Sequence, residues 1–290
     1  FVLIGASILL FFFANYLNSI RDWGAGFIQA RPGKRHASRL LETPMGLAFR
    51  IQRTAFIAWA IGMFVLGMSY GSVMGDLEAF FQGNELLEQL LVAEEGYTLT
   101  EQFIPMLMLV MAILSSIPPV MAMNKLIGEE RKNRIEPILA RAVSRTKLMM
   151  SYLVLAVING FVMLSLTSIG LWVAAEAVMD DGFSFGTIYG AGMVYFPAVL
   201  VLIGFAALMI GVLPRLTSLV WVYIVASFLI NYLGGLLDLP EWLENISPFG
   251  YIPGLPVEDM TWTPVIVLSL MAIGLMVIGF IGYRRRDIEG

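Results

Sequence analysis

The chain has 290 residues, of which 58% are hydrophobic, and its mean hydropathy of +0.80 excludes an ordinary water-soluble domain. It contains no cysteine and a single histidine, His36, which excludes disulfides and thiolate metal sites and argues against a zinc or haem centre. The formal net charge of −4 conceals a sorting of charge along the chain that says more than the total does.

Seven continuously apolar stretches run over approximately 1–19, 54–75, 102–123, 148–175, 189–213, 216–237 and 262–283. Each approaches or exceeds the roughly 20 residues with which a helix crosses a hydrocarbon core of about 30 Å. The runs are unbroken rather than alternating, so they predict an all-α polytopic membrane protein and not a β-barrel. All 18 Lys and Arg residues fall in four places: seven in 20–53, seven in 124–147, Arg215, and the run Arg284–Arg286. The segments 76–101, 176–188 and 238–261 carry none, and hold 15 of the 22 acidic residues. Because Lys and Arg set orientation, the cationic segments and the C-terminus are expected on the cytoplasmic side. No charged residue or histidine lies inside any predicted span. An ion-coupled transporter commonly needs one, so any energy for transport is expected to enter from outside the membrane.

In chain order, Phe1 begins inside an apolar run, and Arg21-Asp22-Trp23-Gly24 follows the first span much as Arg286-Asp287-Ile288 follows the last. The echo leads us to expect residues 1–36 to be the last span and linker of an earlier copy of a unit whose second copy is 37–290. Within the linker, Ala30–His36 has the Gly-Lys pair of a phosphate loop. The required first glycine falls at Ile28 and the required Ser or Thr at Arg35, so nucleotide binding in this chain is not expected.

Thr43 is a candidate N-cap with Pro44 at the first helical position. From there 43–53 reads either as an interfacial helix with Arg50 and Arg53 on its basic side or as an extension of the next span. Gly67, Gly71 and Gly75, spaced by four, predict a close helix contact, expected as a seam between the two copies of the unit. The stretch 76–101 carries Leu86, Leu87, Leu90 and Leu91 at helical spacing. Pro105, Pro118 and Pro119 are expected to kink the third span.

The segment 124–147 contains "GEERKNRIEPILARAVSRTKL". Pro137 at a helix start, Glu136 before it and the pair Ile138-Leu139 predict one short helix crossing the cytoplasmic face, ended by Arg141, with Ser144 capping the helix that returns to the membrane. Glu129, Glu130 and Glu136 do nothing for anionic lipid, and an apolar pair in an otherwise charged loop suits docking to a protein. Along the remaining spans Asn159 and Asn231, with Tyr232, are candidate residues of a substrate path, since an amide in hydrocarbon needs partners. The 18 methionines suit an adaptable apolar lining, though they serve equally as core filler. On the acidic side 239–256 is rich in proline and aromatic residues, with Trp242, Pro248, Phe249 and Tyr251 suited to anchoring at the interface.

Gly128 to Val154 resembles the cytoplasmic loop of the type-2 permeases of ATP-binding-cassette (ABC) exporters, roughly G-E-[EK]-[KR]-x-x-x-[TI]-E-P-[LI]-L-[AS]-[RS]-P-[VI]-S-R, with Ala142 departing where the family commonly has Pro. The likeness extends over 37–290, taking 43–53 as the family's elbow helix and 239–256 as its re-entrant segment, and it implies that Trp242, Pro248, Phe249 and Tyr251 form an extracellular gate. The R-D-x-G pattern resembles fused double-length exporters of polyketide antibiotics of the tetronasin type. The resemblance implies a six-span unit preceded by one extra span. It implies that Glu129, Glu130, Arg131, Glu136, Pro137, Ile138, Leu139, Arg141 and Arg145 form a coupling helix on a separate ATPase dimer. ATP and magnesium would be held by that partner and none by this chain. A second permease half, fused upstream, and membrane lipid are the other partners implied, and no nucleic acid. The chain itself would not be an enzyme.

Overall fold

A computed structural model describes residues 2–19, 38–76, 97–139, 143–179, 182–234, 241–244 and 246–286. Internal packing divides the chain into two units, 1–39 and 40–290. The expected junction at 36/37, the first R-D-x-G and the leucine stripe 86–91 lie outside the described residues. In the first unit, α1 (Val2–Ser19) is an unbroken apolar helix, whose Leu9, Phe11 and Phe12 are exposed as a lipid-facing helix requires.

The second unit opens with α2 (Pro44–Gly71), started as the sequence predicts: the Thr43 hydroxyl accepts a 3.1 Å bond from the Gly46 amide, and Pro44 follows it. The helix then continues for 28 residues. The elbow is therefore no separate element, because Leu47–Ile61 holds neither Gly nor Pro to interrupt the ladder. Helix α3 (Leu99–Ser115) begins earlier than hydropathy suggests, at a reciprocal capping box. There the Glu101 amide bonds the Thr98 hydroxyl at 3.2 Å, and the Glu101 carboxylate accepts from the Thr98 amide at 2.8 Å. Pro118 and Pro119 break the span at Ser116, from which α4 (Ile117–Glu130) continues.

After the one-turn α5 (Glu136–Leu139), α6 (Arg145–Val178) starts on Ser144, whose hydroxyl accepts from the Lys147 amide at 3.2 Å. Helices α7 (Phe185–Met193) and α8 (Phe196–Val212) form another broken span with Pro197 just past the break. Helix α9 (Leu219–Leu233), the one-turn α10 (Glu241–Glu244) and α11 (Trp262–Arg285) complete the described elements.

Among the described residues, α2, α3 with α4, α6, α7 with α8, and α11 are long and apolar enough to span a membrane, and α9 and part of α1 are shorter apolar helices. The protein is thus an all-helical multi-pass membrane protein. Helices α6 and α8 lie at the centre of the unit, with α2 packed along α6 and α11 along α8. Both pairings depend on glycine. A Cβ on Gly71 would fall 2.9 Å from the Ala174 side chain, and one on Gly170 3.1 Å from the Met68 amide, so backbones touch where the side chains vanish. The glycine stripe of α2 therefore seals a contact within the unit, not the expected seam between halves. The second seam sets Gly204, Ala207 and Gly211 against Ala272, Gly279 and Gly282. Its signal was small residues at i, i+3 and i+7 in 204–211.

Met108, Met111, Met123, Met149 and Met163 are fully buried. These five fill the core and do not line a path. Thr167 and Ser168 bond carbonyls of their own helix, as hydroxyls in apolar helices commonly do.

Candidate functional site

The functional candidates converge where α4, α5, α6, α8 and α11 end among the basic residues. Helix α4 stops at Glu130, and the chain turns through Asn133, whose φ of 54° is left-handed, a conformation asparagine tolerates better than most residues. The Asn133 amide donates to the Glu130 carbonyl at 2.8 Å and the Arg134 amide to that of Glu129 at 3.1 Å. Ile135, 2% exposed, then plugs the loop onto the core. The one-turn helix predicted around Pro137 is present as α5, with Glu136 and Pro137 exposed at its start. The side chains of Ile138 and Leu139, and all of Arg141, lie outside the described residues.

Two residues expected on a partner-facing surface turn inward. Glu130 is 7% exposed. Its carboxylate accepts a 2.6 Å bond from the Tyr283 hydroxyl and forms a very short ion pair with the Arg286 guanidinium, so the end of α4 is fastened to the end of α11. A buried carboxylate is tolerated only when paired and hydrogen-bonded in this way. Arg286 also lies 4.9 Å from the centroid of the Tyr283 ring. Its backbone carbonyl accepts a 2.7 Å bond from Arg145, which ties the start of α6 to the same point. Glu129, 5% exposed, sits 3.8 Å from Lys125 and 3.5 Å from Arg134. Arg131 is exposed but reaches back to the Pro214 carbonyl at 3.3 Å. Glu129, Glu130 and Arg145 therefore brace the loop from within, and Glu136 and Pro137 are left at its tip.

Next to this brace is a cavity of about 580 Å³, walled by Arg131, Arg215 and Arg286 together with Val212, Leu213 and Leu216. A smaller cavity of about 140 Å³ lies between α2, α4 and α6, with Gln52, Phe56, Trp59 and Asn159 in its wall. Asn159 is 6% exposed, and its Oδ1 has no partner, nor has the Gln52 Nε2. Asn231 instead bonds the Ser227 carbonyl of its own helix at 2.7 Å, and Tyr232 stacks on Phe228 at 5.2 Å. The three candidate path residues thus do not share one cavity wall.

At the opposite end, Pro248 and Phe249 begin a 3-10 turn (Pro248–Tyr251) and are buried, Phe249 stacking on Tyr195 at 6.5 Å. Trp242 and Tyr251 are exposed. The Tyr223 hydroxyl donates to the Ile246 carbonyl at 2.7 Å and holds this segment on α9. Among the described residues, the helical elements of 239–256 are the one-turn α10 and this turn.

Among the described residues no group of three or more His, Cys, Asp or Glu is placed to hold a metal ion. Sequence reasoning missed Tyr283, Pro214 and Gln52, and saw Arg286 only as part of a basic run and a motif. Nothing local marks them, because their partners are far away in the chain.

Residues 41–284 match the family model described as multidrug efflux system permease Rv1217c, C-terminal domain. The chain is 30% identical over 278 residues to the multidrug efflux system permease protein Rv1217c of Mycobacterium tuberculosis. That match covers 95% of this chain and 51% of the relative, so the chain spans about half the length of the curated protein it resembles. The matched region contains all of α2 to α10, nearly all of α11, and both glycine seams. On these grounds the chain belongs to the family of permeases defined by the C-terminal domain of the multidrug efflux system permease Rv1217c.

Proposed function

We propose that this chain is one half of the membrane part of an ATP-driven ABC exporter with the type-2 permease fold, extruding a hydrophobic or amphipathic compound such as a drug or antibiotic. The basic end is cytoplasmic, α5 is the coupling helix, and ATP and magnesium are held by a separate ATPase dimer. The observation that carries this reading is a single turn of helix, Glu136–Leu139, exposed at Glu136 and Pro137 and mounted on a loop whose root is fastened to α11, α6 and the α8–α9 turn. A push on such a tip reaches three helix ends at once. The relative is a multidrug efflux permease about twice as long as the matched region, which supports a second half on the same chain, as in the fused double-length exporters of the tetronasin type. The charge-free spans support the entry of energy from a partner in preference to an ion gradient.

The test uses the full-length permease with its ATPase subunit in proteoliposomes. Leu139→Asp is expected to lower ATP-dependent efflux at least about tenfold, the loss of roughly 1.4 kcal/mol of contact, while the isolated ATPase keeps its hydrolysis. Unchanged efflux with Leu139→Asp sinks the coupling role. Efflux driven by an imposed proton gradient without ATP would favour an ion-coupled carrier, and no efflux under either condition would favour a membrane scaffold that recruits a cytoplasmic protein.

A further inference from the structure

The smaller cavity, of about 140 Å³ between α2, α4 and α6, has a wall of mixed chemistry. Phe56, Trp59, Pro118, Met121 and Ala122 give it an apolar lining, and Gln52, Lys125 and Asn159 bring polar groups to it. Gln52 lies about two turns into α2 and Asn159 about four turns into α6, so the cavity is set within the spans on the side of the basic end. Its rim is exposed at Ile51, Ala55 and Met121. Asn159 is 6% exposed, and among the described residues neither its Oδ1 nor the Gln52 Nε2 has a hydrogen-bond partner. Buried amide atoms are rarely left so, and an acceptor and a donor on two residues of one wall point to an occupant that answers both. The terminal torsions of Asn and Gln are broad, which lets each amide turn its free atom to that occupant.

Size and wall together choose the occupant. About four or five waters of roughly 30 Å³ would fill the space, and each wants two to four polar partners, more than three polar side chains supply in a wall that is otherwise carbon. An acyl chain suits the carbon and leaves both amide atoms unpaired. A cation could use the Asn159 oxygen, but it would face the Lys125 ammonium, which lies 3.8 Å from Glu129, and would leave the Gln52 donor unanswered. An anion could use Gln52 and Lys125 but offers no donor to the Asn159 oxygen. A neutral carboxamide carries both an N–H and a carbonyl oxygen in one group. A ring attached to it is suited to Phe56 and Trp59, since aromatic edges and faces attract, and a cavity of about 150 Å³ is enough for benzene.

We infer that this cavity binds the neutral aromatic carboxamide end of a ligand, its N–H donating to Asn159 Oδ1, its carbonyl accepting from Gln52 Nε2 and its ring against Phe56 and Trp59. The remainder of a larger molecule leaves past Ile51 and Ala55. The inference names a class of compound for the efflux reading and rests on that reading only for the ligand's use, because binding needs neither ATP nor a partner.

The test is saturation-transfer NMR on the full-length permease in detergent, against a detergent blank and without ATP or the ATPase subunit. Benzamide is the probe. Acetophenone, in which a methyl group replaces the amide nitrogen, and benzoate are its analogues. Benzamide is expected to half-saturate the wild type at about tenfold lower concentration than acetophenone. Asn159→Leu nearly keeps the side-chain volume and is expected to bring the two compounds to within about twofold, with the unfolding temperature unchanged or raised because a buried unpaired acceptor is gone. Ala55→Phe keeps both amides, places a ring at the exposed rim and is expected to abolish saturable binding of benzamide. The inference is overturned if acetophenone or benzoate binds the wild type as tightly as benzamide, which would leave an apolar fit or an anion site at Lys125. It is overturned too if benzamide shows no saturable binding, or binds Asn159→Leu and Ala55→Phe as it binds the wild type. Preference for benzamide together with absent ATP-dependent efflux supports the site and rejects the exporter reading, and efflux without the preference does the reverse.

Discussion

The root and the tip of the loop between α4 and α6 carry the same kind of sequence and meet opposite fates. At the root, Glu129 and Glu130 are at most 7% exposed and every described partner lies within the chain. Six residues later Glu136 stands exposed at the start of α5. Sequence likeness alone assigns all three to one partner-facing surface. The structure divides them by a simple rule: a carboxylate can leave water only where an arginine and a hydroxyl await it, and Arg286 and Tyr283 supply both for Glu130. The root is thus a joint within the permease, whereas Glu136 and Pro137 at the tip stand exposed for a contact.

The largest expected effect breaks the joint. Glu130→Ala leaves the Arg286 guanidinium, with its side chain 17% exposed, without its counter-ion, and removing one partner of a buried pair costs about 3–5 kcal/mol. The full-length permease in detergent is expected to show a clearly lowered unfolding temperature. Replacing both residues, as in Glu130→Ala with Arg286→Ala, should cost less than the sum of the single changes, since no charge is stranded. Additive losses in that cycle would show that the two side chains do not act as a pair.

Tyr283→Phe is gentler. It keeps the ring under Arg286 and removes only a hydrogen bond to a charged acceptor, worth about 1.5–3 kcal/mol. The same unfolding measurement should rank it between wild type and Glu130→Ala. Smaller still is Asn133→Ala. Alanine is less tolerant than asparagine of the left-handed φ of 54° at the turn that brings Arg134 back to Glu129, and the strain is about 1 kcal/mol. Asn133→Gly is expected to be neutral or slightly stabilising, which separates backbone strain from any role of the amide.

How much of this was legible follows from the range of each interaction. Hydropathy and capping act over a few residues, so the seven apolar runs, the caps at Thr43 and Ser144 and the single turn at Glu136–Leu139 could be read directly. The Thr98-Glu101 capping box was legible too, in the T-x-x-E spacing, but was overlooked in favour of hydropathy. The pairing of Glu130 with Tyr283 and Arg286 joins residues more than 150 positions apart, and no local pattern specifies it. The glycines of α2 announced a close contact but not with whom, because a stripe of small residues permits approach by any helix. Only packing reveals that its partner is α6. The expected elbow failed for a related reason: a basic face at the membrane surface does not end a helix, and without Gly or Pro α2 continues.

The smallest effect on stability is expected at the tip, and it sharpens the contrast most. Glu136 is exposed, and among the described residues its side chain has no ion pair or hydrogen bond to lose, so Glu136→Ala should change the unfolding free energy by less than about 0.5 kcal/mol. If the tip is the contact through which a partner ATPase acts, the same substitution removes an orienting charge from that interface and should slow ATP-dependent efflux about fivefold, roughly 1 kcal/mol. Glu130→Ala with efflux corrected for the amount of folded protein should give a different signature, with most of its loss explained by instability. Stability unchanged and efflux reduced at Glu136, against stability reduced at Glu130, is the pattern that a rigid root and a docking tip require. Equal loss of stability at both positions would mean that the tip too is packed inside the permease, and the division between them would fall.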